Sequence, residues 1–322
     1  MSSSAETAET AGTAVRPAAA VAAGNRRPAT GDGLDLGQQS AARRIKDVVA
    51  QVVMWLSFGV AIVPLVWILY TVVSKGAGLL ATSGWWTKSQ RNINSDDVGG
   101  GAVHAIQGTL LQAGMTALIA VPIGIFTAIY LVEYGRGRIA RVTSFMVDIL
   151  TGVPSIVAAL FVYSVWVTVF GFGRVGFAVS LALVLLMVPV VVRSTEEMLK
   201  LVPNELREAS LALGVPQWKT ITSVVLPTAF SGIITGVLLG LARIMGETAP
   251  LLILGPYTKS IATNLFSGNM PTLPTMINQD RTELGIAPAV ERMWATALTL
   301  ILLVLLLNIL GRVVSRFGSV SR

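Results

Sequence analysis

The sequence predicts an all-α, polytopic membrane protein with six crossing helices, and three observations carry that expectation. Of its 322 residues, 53% are hydrophobic and 13% charged, with a mean hydropathy of +0.70. Soluble globular domains do not have that composition. Six stretches are each long enough to cross ~30 Å of hydrocarbon as a helix. The basic residues fall unequally on the two sides that alternate crossing defines.

In chain order, the first expectation concerns residues 1–42. They are dominated by Ala, Thr, Ser and Gly and lack an apolar run of signal-peptide length behind a basic start. They read as a disordered, uncleaved cytoplasmic tail. Hydropathy then places spans at about 50–73, 108–133, 145–170, 175–193, 228–254 and 292–311. Together they make a transmembrane domain over 43–312, followed by a short basic tail, 313–322. In the first outer loop Trp85 and Trp86 are expected to anchor the outer interface, and Tyr130 and Tyr134 the inner one. His104, the single histidine, is expected to be a polar surface residue of that outer loop. In the third span Gly152-Val153-Pro154-Ser155 marks a proline break. It is open between a kink that improves packing and an interrupted helix whose free N–H groups meet an anion. Pro189 is expected to bend the fourth span. In the fifth, Gly232, Gly236 and Gly240 form a four-residue ladder for close helix packing.

Charge sets the orientation. With a cytoplasmic N-terminus, thirteen basic residues lie inside: Arg43, Arg44, Lys46, Arg136, Arg138, Arg141, Arg193, Lys200, Arg207, Lys219, Arg312, Arg316 and Arg322. Seven lie outside: Lys75, Lys88, Arg91, Arg174, Lys259, Arg281 and Arg292. The excess favours both termini in the cytoplasm of a cell whose plasma membrane the chain spans several times. The formal net charge of +7 therefore reports topology and anionic lipid rather than nucleic acid.

Between the fourth and fifth spans lies a stretch of different character, Glu208 to Pro227 (EASLALGVPQWKTITSVVLP). Pro203 suits a first helical position, and Glu205 and Glu208 favour the positive end of the helix that follows. Gly214 can take a left-handed cap, and Pro216 can open a second helix through Trp218 and Ile221. Two short helices at a fixed angle make a knob that another protein can grip.

These residues resemble the EAA loop of ABC-importer permeases. Glu208-Ala209-Ser210 stand for its triplet, Gly214 for its glycine and Val224-Val225-Leu226-Pro227 for its close, with Ser210 and Val224 as departures. The resemblance extends through Gly108-Thr109-Leu110, Gly152 to Ala158, Pro189 to Leu199 and Ala242 to Leu252. In these the chain is similar to permeases of the Pst phosphate importer over about residues 50–312. Leu265 to Pro274 looks more like the A-type than the C-type subunit. The resemblance implies a six-helix transmembrane domain of the type I importers, with the coupling loop at 196–227 and Glu208, Ala209 and Gly214 in the ATPase contact. It implies four kinds of partner: a C-type permease (PstC-like), two ATPase subunits (PstB-like), an extracytoplasmic phosphate-binding protein (PstS-like) and phosphate itself.

The residues bound the chemistry as well. Without a Gly-x-x-x-x-Gly-Lys-Ser/Thr loop the chain is not expected to hydrolyse ATP, and no cofactor is expected. The absence of cysteine excludes thiol chemistry. Arg243 and Glu247, four apart on the predicted fifth span, should share a helix face, turn to the bundle interior and pair. There the cation can hold an anionic substrate and the carboxylate can neutralise it when the path is empty; a purely structural ion pair is the alternative. Arg193 is a second candidate cation, open between the substrate path and a pair with Glu196 or Glu197. Ser155 joins the path through the proline break. Asp148 is open between a cap, a pair with Arg141 and the path. Two rival functions fit the same residues: an ABC permease for molybdate, sulfate or an amino acid, and an ion-coupled secondary transporter. A role in sensing phosphate can accompany transport.

Overall fold

The computed structural model describes residues 41–318, so the expected tail over 1–42 lies almost wholly outside the described residues. Twelve helices follow in order among them. The first, α1 (Ala41–Leu80), falls across two compact units divided after Ile62. Its stretch up to Ile62 is a helix with apolar side chains on display, Trp55 and Phe58 meeting edge to face.

From Val63 onwards the chain is one unit. A short α2 (Ser83–Thr87) precedes α3 (Val103–Ile129), which runs on as a π-helical turn over Tyr130–Tyr134. Then come α4 (Gly137–Gly152), α5 (Ser155–Val162, continued by a π-helical stretch over Tyr163–Val169) and α6 (Gly176–Lys200). The short helices α7 (Asn204–Ala212) and α8 (Gln217–Thr220) lead through a π-helical turn, Ile221–Val225, into α9 (Leu226–Met245). Pro227 supplies a reason for that turn, because it cannot donate to the carbonyl one turn back. The chain closes with α10 (Ala249–Leu254), α11 (Leu273–Arg281) and α12 (Ala287–Gly318).

Five of these helical runs are long and apolar enough to cross a membrane, and α4 with α5 makes a sixth span if the pair counts as one. That matches the expected number of crossings. At the centre is α6, packed between α3 and α9, with α12 on the far side of α9. Close approach comes from glycine. A side chain at Gly124 would run into Val191, one at Gly232 into Met198 and one at Gly236 into Ser194. The expected ladder on α9 is thus a packing face against α6, although Gly240 sits at ordinary contact distance from Met187. The three α9 pairs make α9 antiparallel to α6, and Gly124–Val191 together with the Thr116 hydroxyl facing the Ser180 carbonyl makes α3 parallel to it.

Two expected spans are broken rather than continuous. The third is not a helix over 145–170: α4 and α5 meet at Val153–Pro154 with a bend of 107°. Proline at 154 ends α4 and its carbonyl receives the N–H groups of Val157 and Ala158, starting α5 in a new direction. The fifth does not reach Leu254 as one helix. It ends at Met245, and Gly246 to Thr248 separate it from α10. The two half-helices that follow the breaks pack together. Ala158 and Ala159 of α5, Ile244 of α9, and Leu251 and Leu254 of α10 share one core cluster with α6.

Two surface expectations are corrected. His104 is wholly buried on the first turn of α3, its Nε2 at 3.1 Å from the Tyr257 hydroxyl. Trp85 is also wholly buried and its indole N–H donates to Thr299 Oγ1 at 2.9 Å, which leaves only Trp86 exposed. Both residues fill the contact of α2 and α3 with the later helices, a need that no local pattern advertises.

Candidate functional site

At one end of the bundle α7 and α8 form the knob that the Glu208–Pro227 pattern predicts. Helix α7 stops in a cap made by two hydrogen bonds, Gly214 N–H to Leu211 O at 2.9 Å and Val215 N–H to Ser210 O at 3.2 Å. That closure needs a left-handed residue, and Gly214 has φ +78°. Pro203 and Pro216 stand one place ahead of the two helices, as their caps. Glu208 and Ala209 are exposed, as is Leu213 at 84%, whereas Ser210 is buried with its hydroxyl 2.9 Å from that of Thr220. The buried hydroxyl pair locks the angle between the helices, and the exposed residues form the outer face.

What ties this knob to the bundle was not anticipated. The Arg207 guanidinium donates to Glu133 Oε1 (3.1 and 3.0 Å), Val202 O (2.6 Å) and Leu199 O (2.8 Å). The Gln217 amide donates to the Glu133 carbonyl at 2.9 Å. The Glu133 side chain is only 7% exposed, so the charge pair is largely shielded from water. A single residue at the end of α3 therefore holds both short helices. The 74 residues between Glu133 and Arg207 explain why no local spacing signalled the pair.

A second charged group lies where α6 nears the α7–α8 end. Arg193 donates to Asp148, to Glu196 Oε2 (2.5 Å) and to the Ser144 carbonyl (3.0 Å) and hydroxyl (2.9 Å). Lys200 closes the group on Glu196 Oε1 at 2.6 Å. Of the alternatives open for these residues, Arg193 pairs with Glu196 and Asp148 pairs with Arg193. The pair fastens α4 to α6.

Arg243 contrasts with Arg193. Gly240 packs beside Met187 and Val190, and Ile244 and Met245 share a small cavity with Leu183. These contacts put Arg243, in the last turn of α9, level with the middle of α6. Glu247 lies past the end of that helix, so the two do not share a helix face. They do form the expected ion pair, a loose one, with Arg243 Nε 3.9 Å from Glu247 Oε1 and beyond hydrogen-bond range. The Arg243 side chain is 55% exposed and, among the described residues, makes no hydrogen bond. It does not turn into this chain's interior as expected, although it lies seven residues past Gly236, on the same side of α9 as the glycine ladder. Ser155, half-buried, opens α5, which packs against the α10 that follows this break.

The opposite end is closed by a buried polar group that sequence reasoning missed. Arg292, 2% exposed, donates to Asp97 O (2.6 Å) and Ser95 O (2.8 Å), pinning the loop before α3 onto α12. The Tyr257 hydroxyl donates to Gln90 Oε1 at 2.9 Å, and Lys259 Nζ to Ile93 O at 2.8 Å. Asp280 on α11 is 4% exposed, and burial pushes its carboxyl up to about 6 against the opposing pull of Arg292. Between about pH 4 and about pH 6 the folded state thus holds a proton that the unfolded state releases, so stability falls as pH rises through that window. The melting temperature of the purified protein is expected to drop by a few degrees, on the order of 2–4, from about pH 5 to about pH 7. Asp280→Asn should flatten that drop, and an unchanged pH profile in the variant would remove Asp280 as its source.

Residues 120–317 match the family described as binding-protein-dependent transport system inner membrane component. The chain is 53% identical over 280 residues to phosphate transport system permease protein PstA 1 of Mycobacterium tuberculosis strain H37Rv, covering 87% of this chain and 90% of that protein. It is 54% identical over 272 residues to PstA of Mycobacterium leprae (84% and 89% covered) and 41% identical over 281 residues to PstA of Yersinia pestis (86% and 92%). Among solved structures it resembles a chain of the MetNI methionine ABC transporter, inward facing (TM-score 0.52, 20% identity, 67% of this chain and 94% of that one). It also resembles a chain of a bacterial ABC transporter that imports the acidic polysaccharide alginate (TM-score 0.54, 16% identity, 85% and 98%). At those identities the structures speak for the fold.

Proposed function

Because the chain belongs to the binding-protein-dependent transport system inner membrane components, and among them to the PstA-type permeases, we propose that it forms half of the translocation path of an ATP-driven inorganic phosphate importer. The observation that carries this reading is the α7–α8 knob, exposed at Glu208, Ala209 and Leu213 and tied through Arg207 to the end of a membrane-spanning helix. A separate ATPase dimer (PstB-like) grips the knob, a second permease (PstC-like) supplies the other half of the path, and a PstS-like binding protein delivers phosphate. The excess of basic residues supports a cytoplasmic position for the knob and for both termini.

In this reading Arg243 receives the anion. It stands at mid-depth beside an interrupted helix, with donors that no hydrogen bond occupies among the described residues. A planar guanidinium offers phosphate oxygens two parallel hydrogen bonds. Glu247, in a loose ion pair with Arg243 at 3.9 Å, neutralises it when the path is empty. Ser155 contributes from the neighbouring break. Arg193, saturated by Asp148, Glu196 and Ser144, meets the anion only if α4 and α6 separate. Motion of the knob, carried by Arg207 and Gln217 to Glu133, is what would bias that separation.

Proteoliposomes holding this chain with its second permease and ATPase, supplied with binding protein, should take up radioactive phosphate only with ATP inside and should leave sulfate and molybdate outside. Uptake driven by a proton gradient without ATP would overturn the proposal. For orientation, the native chain has no cysteine, so Val98→Cys and Leu213→Cys report cleanly; both positions are 84% exposed. Val98→Cys should react with an impermeant thiol reagent in intact cells and Leu213→Cys only after permeabilisation. The reverse pattern would invert the topology.

A further inference from the structure

Five helices meet where α9 is interrupted. Thr109 and Gln112 of α3, Leu183 of α6, Met245 of α9, Leu251 of α10 and Pro274 of α11 line a cavity of about 10 Å³ there. That is the scale of a single water. Gln112 is 2% exposed, and its carboxamide nitrogen has no hydrogen-bond partner among the described residues. Met245 is 3% exposed. Its carbonyl, the last of α9, accepts no hydrogen bond among the described residues, because the N–H groups of Gly246 and Glu247 turn back to Arg243 O and Ile244 O. The Thr109 hydroxyl donates to Ala105 O at 2.8 Å and accepts the Leu273 N–H at 2.9 Å, which leaves it one lone pair. Residues with a free donor and two free acceptor positions thus meet around one small space. They do so inside a bundle of membrane-spanning helices, where an unpaired polar group is costly.

We propose that this cavity binds one ordered water, which accepts a hydrogen bond from Gln112 Nε2 and donates to Met245 O and Thr109 Oγ1. The chemistry of the lining selects it. A bridging group must take a hydrogen bond from the amide and give one to the carbonyl. A metal ion cannot take the first, and no carboxylate lines the cavity to balance its charge. An anion cannot give the second. Water does both, and about three hydrogen bonds are what a buried water commonly makes. The volume leaves no room for a larger ligand. Held there, the water fastens α3 to the final residue of α9. Gln112 is therefore a positioning residue: through the water it fixes where α9 stops, two residues beyond Arg243.

The test is X-ray radiolytic footprinting of the assembled transporter in nanodiscs. A bound water yields a hydroxyl radical where it sits, and the radical oxidises the nearest reactive side chain, read by mass spectrometry. Met245 lines the cavity, whereas Met187 is wholly buried on α6 and outside the lining, so it serves as the internal control. In wild type Met245 should be oxidised and Met187 spared. Gln112→Leu keeps the bulk and removes the amide, so Met245 oxidation should fall to the Met187 level. Ala113→Val leaves the amide and fills the cavity, which Ala113 also lines. The same loss is expected there, and it gives a second reading if Gln112→Leu assembles poorly. In Gln112→Leu the Gly246 and Glu247 amides should also exchange with deuterium faster, because the break is no longer held from α3. Wild-type Met245 oxidation no higher than that of Met187, or undiminished oxidation in either variant, would overturn the water site. Unchanged deuterium exchange at the break in Gln112→Leu would overturn the positioning role. Because the readouts are oxidation and exchange rather than transport, failure here leaves the phosphate-import reading untouched.

Discussion

Arg243→Ala is expected to cut phosphate uptake by more than about tenfold, the effect of losing one charged hydrogen-bonding contact to an anion. Assembly should survive, because the side chain is more than half exposed and, among the described residues, makes no hydrogen bond. Arg243→Lys keeps the charge and loses the planar fork, so partial uptake is expected. The decisive comparison is Arg243→Ala with Glu247→Gln. Removing both charges would restore uptake if the pair were structural, since no unpaired charge remains. At 3.9 Å and without a hydrogen bond the ion pair is a loose one, and uptake in the double variant should stay low. Radioactive phosphate uptake in cells without other phosphate importers, normalised to inserted protein, is the measurement. Near-normal uptake by the double variant would falsify the role of Arg243 in handling the anion.

Arg207→Ala should uncouple the transporter. The substitution strips Glu133 of the cation that balances it in a nearly closed site, a loss of about 3–5 kcal/mol for a buried pair broken on one side. It also frees the carbonyls of Leu199 and Val202. The knob then loses its link to α3, and the ATPase should bind more weakly and no longer respond to loaded binding protein. Arg207→Met with Glu133→Gln removes the unpaired charge and should recover assembly without recovering the response, which separates folding from coupling. Gly214→Val attacks the same element from the other side. At φ +78° a β-branched residue is strained, so the cap of α7 should open and the exposed face be lost. If Arg207→Ala keeps full stimulation of ATP hydrolysis, force does not pass through Glu133.

The features legible in the sequence were those that one segment encodes alone. Apolar length set the number of crossings. Glu208, Gly214 and Pro216 declared two helices and a left-handed turn, because a cap is built from residues a few places apart. Proline at 154 announced an interruption, since a missing N–H acts on its own helix. The tertiary structure alone decided the angle of that interruption, 107°, and the end of α9 at Met245, which took Glu247 off the helix that carries Arg243. It also decided that Trp85 and His104 are interior, that Asp148 belongs to Arg193 rather than Arg141, and that Arg207 is answered by Glu133. Each of these joins groups tens to hundreds of residues apart. Their energy comes from removing charge or polar edges from water beside a partner, and a chain read in one dimension carries no record of which partner arrives.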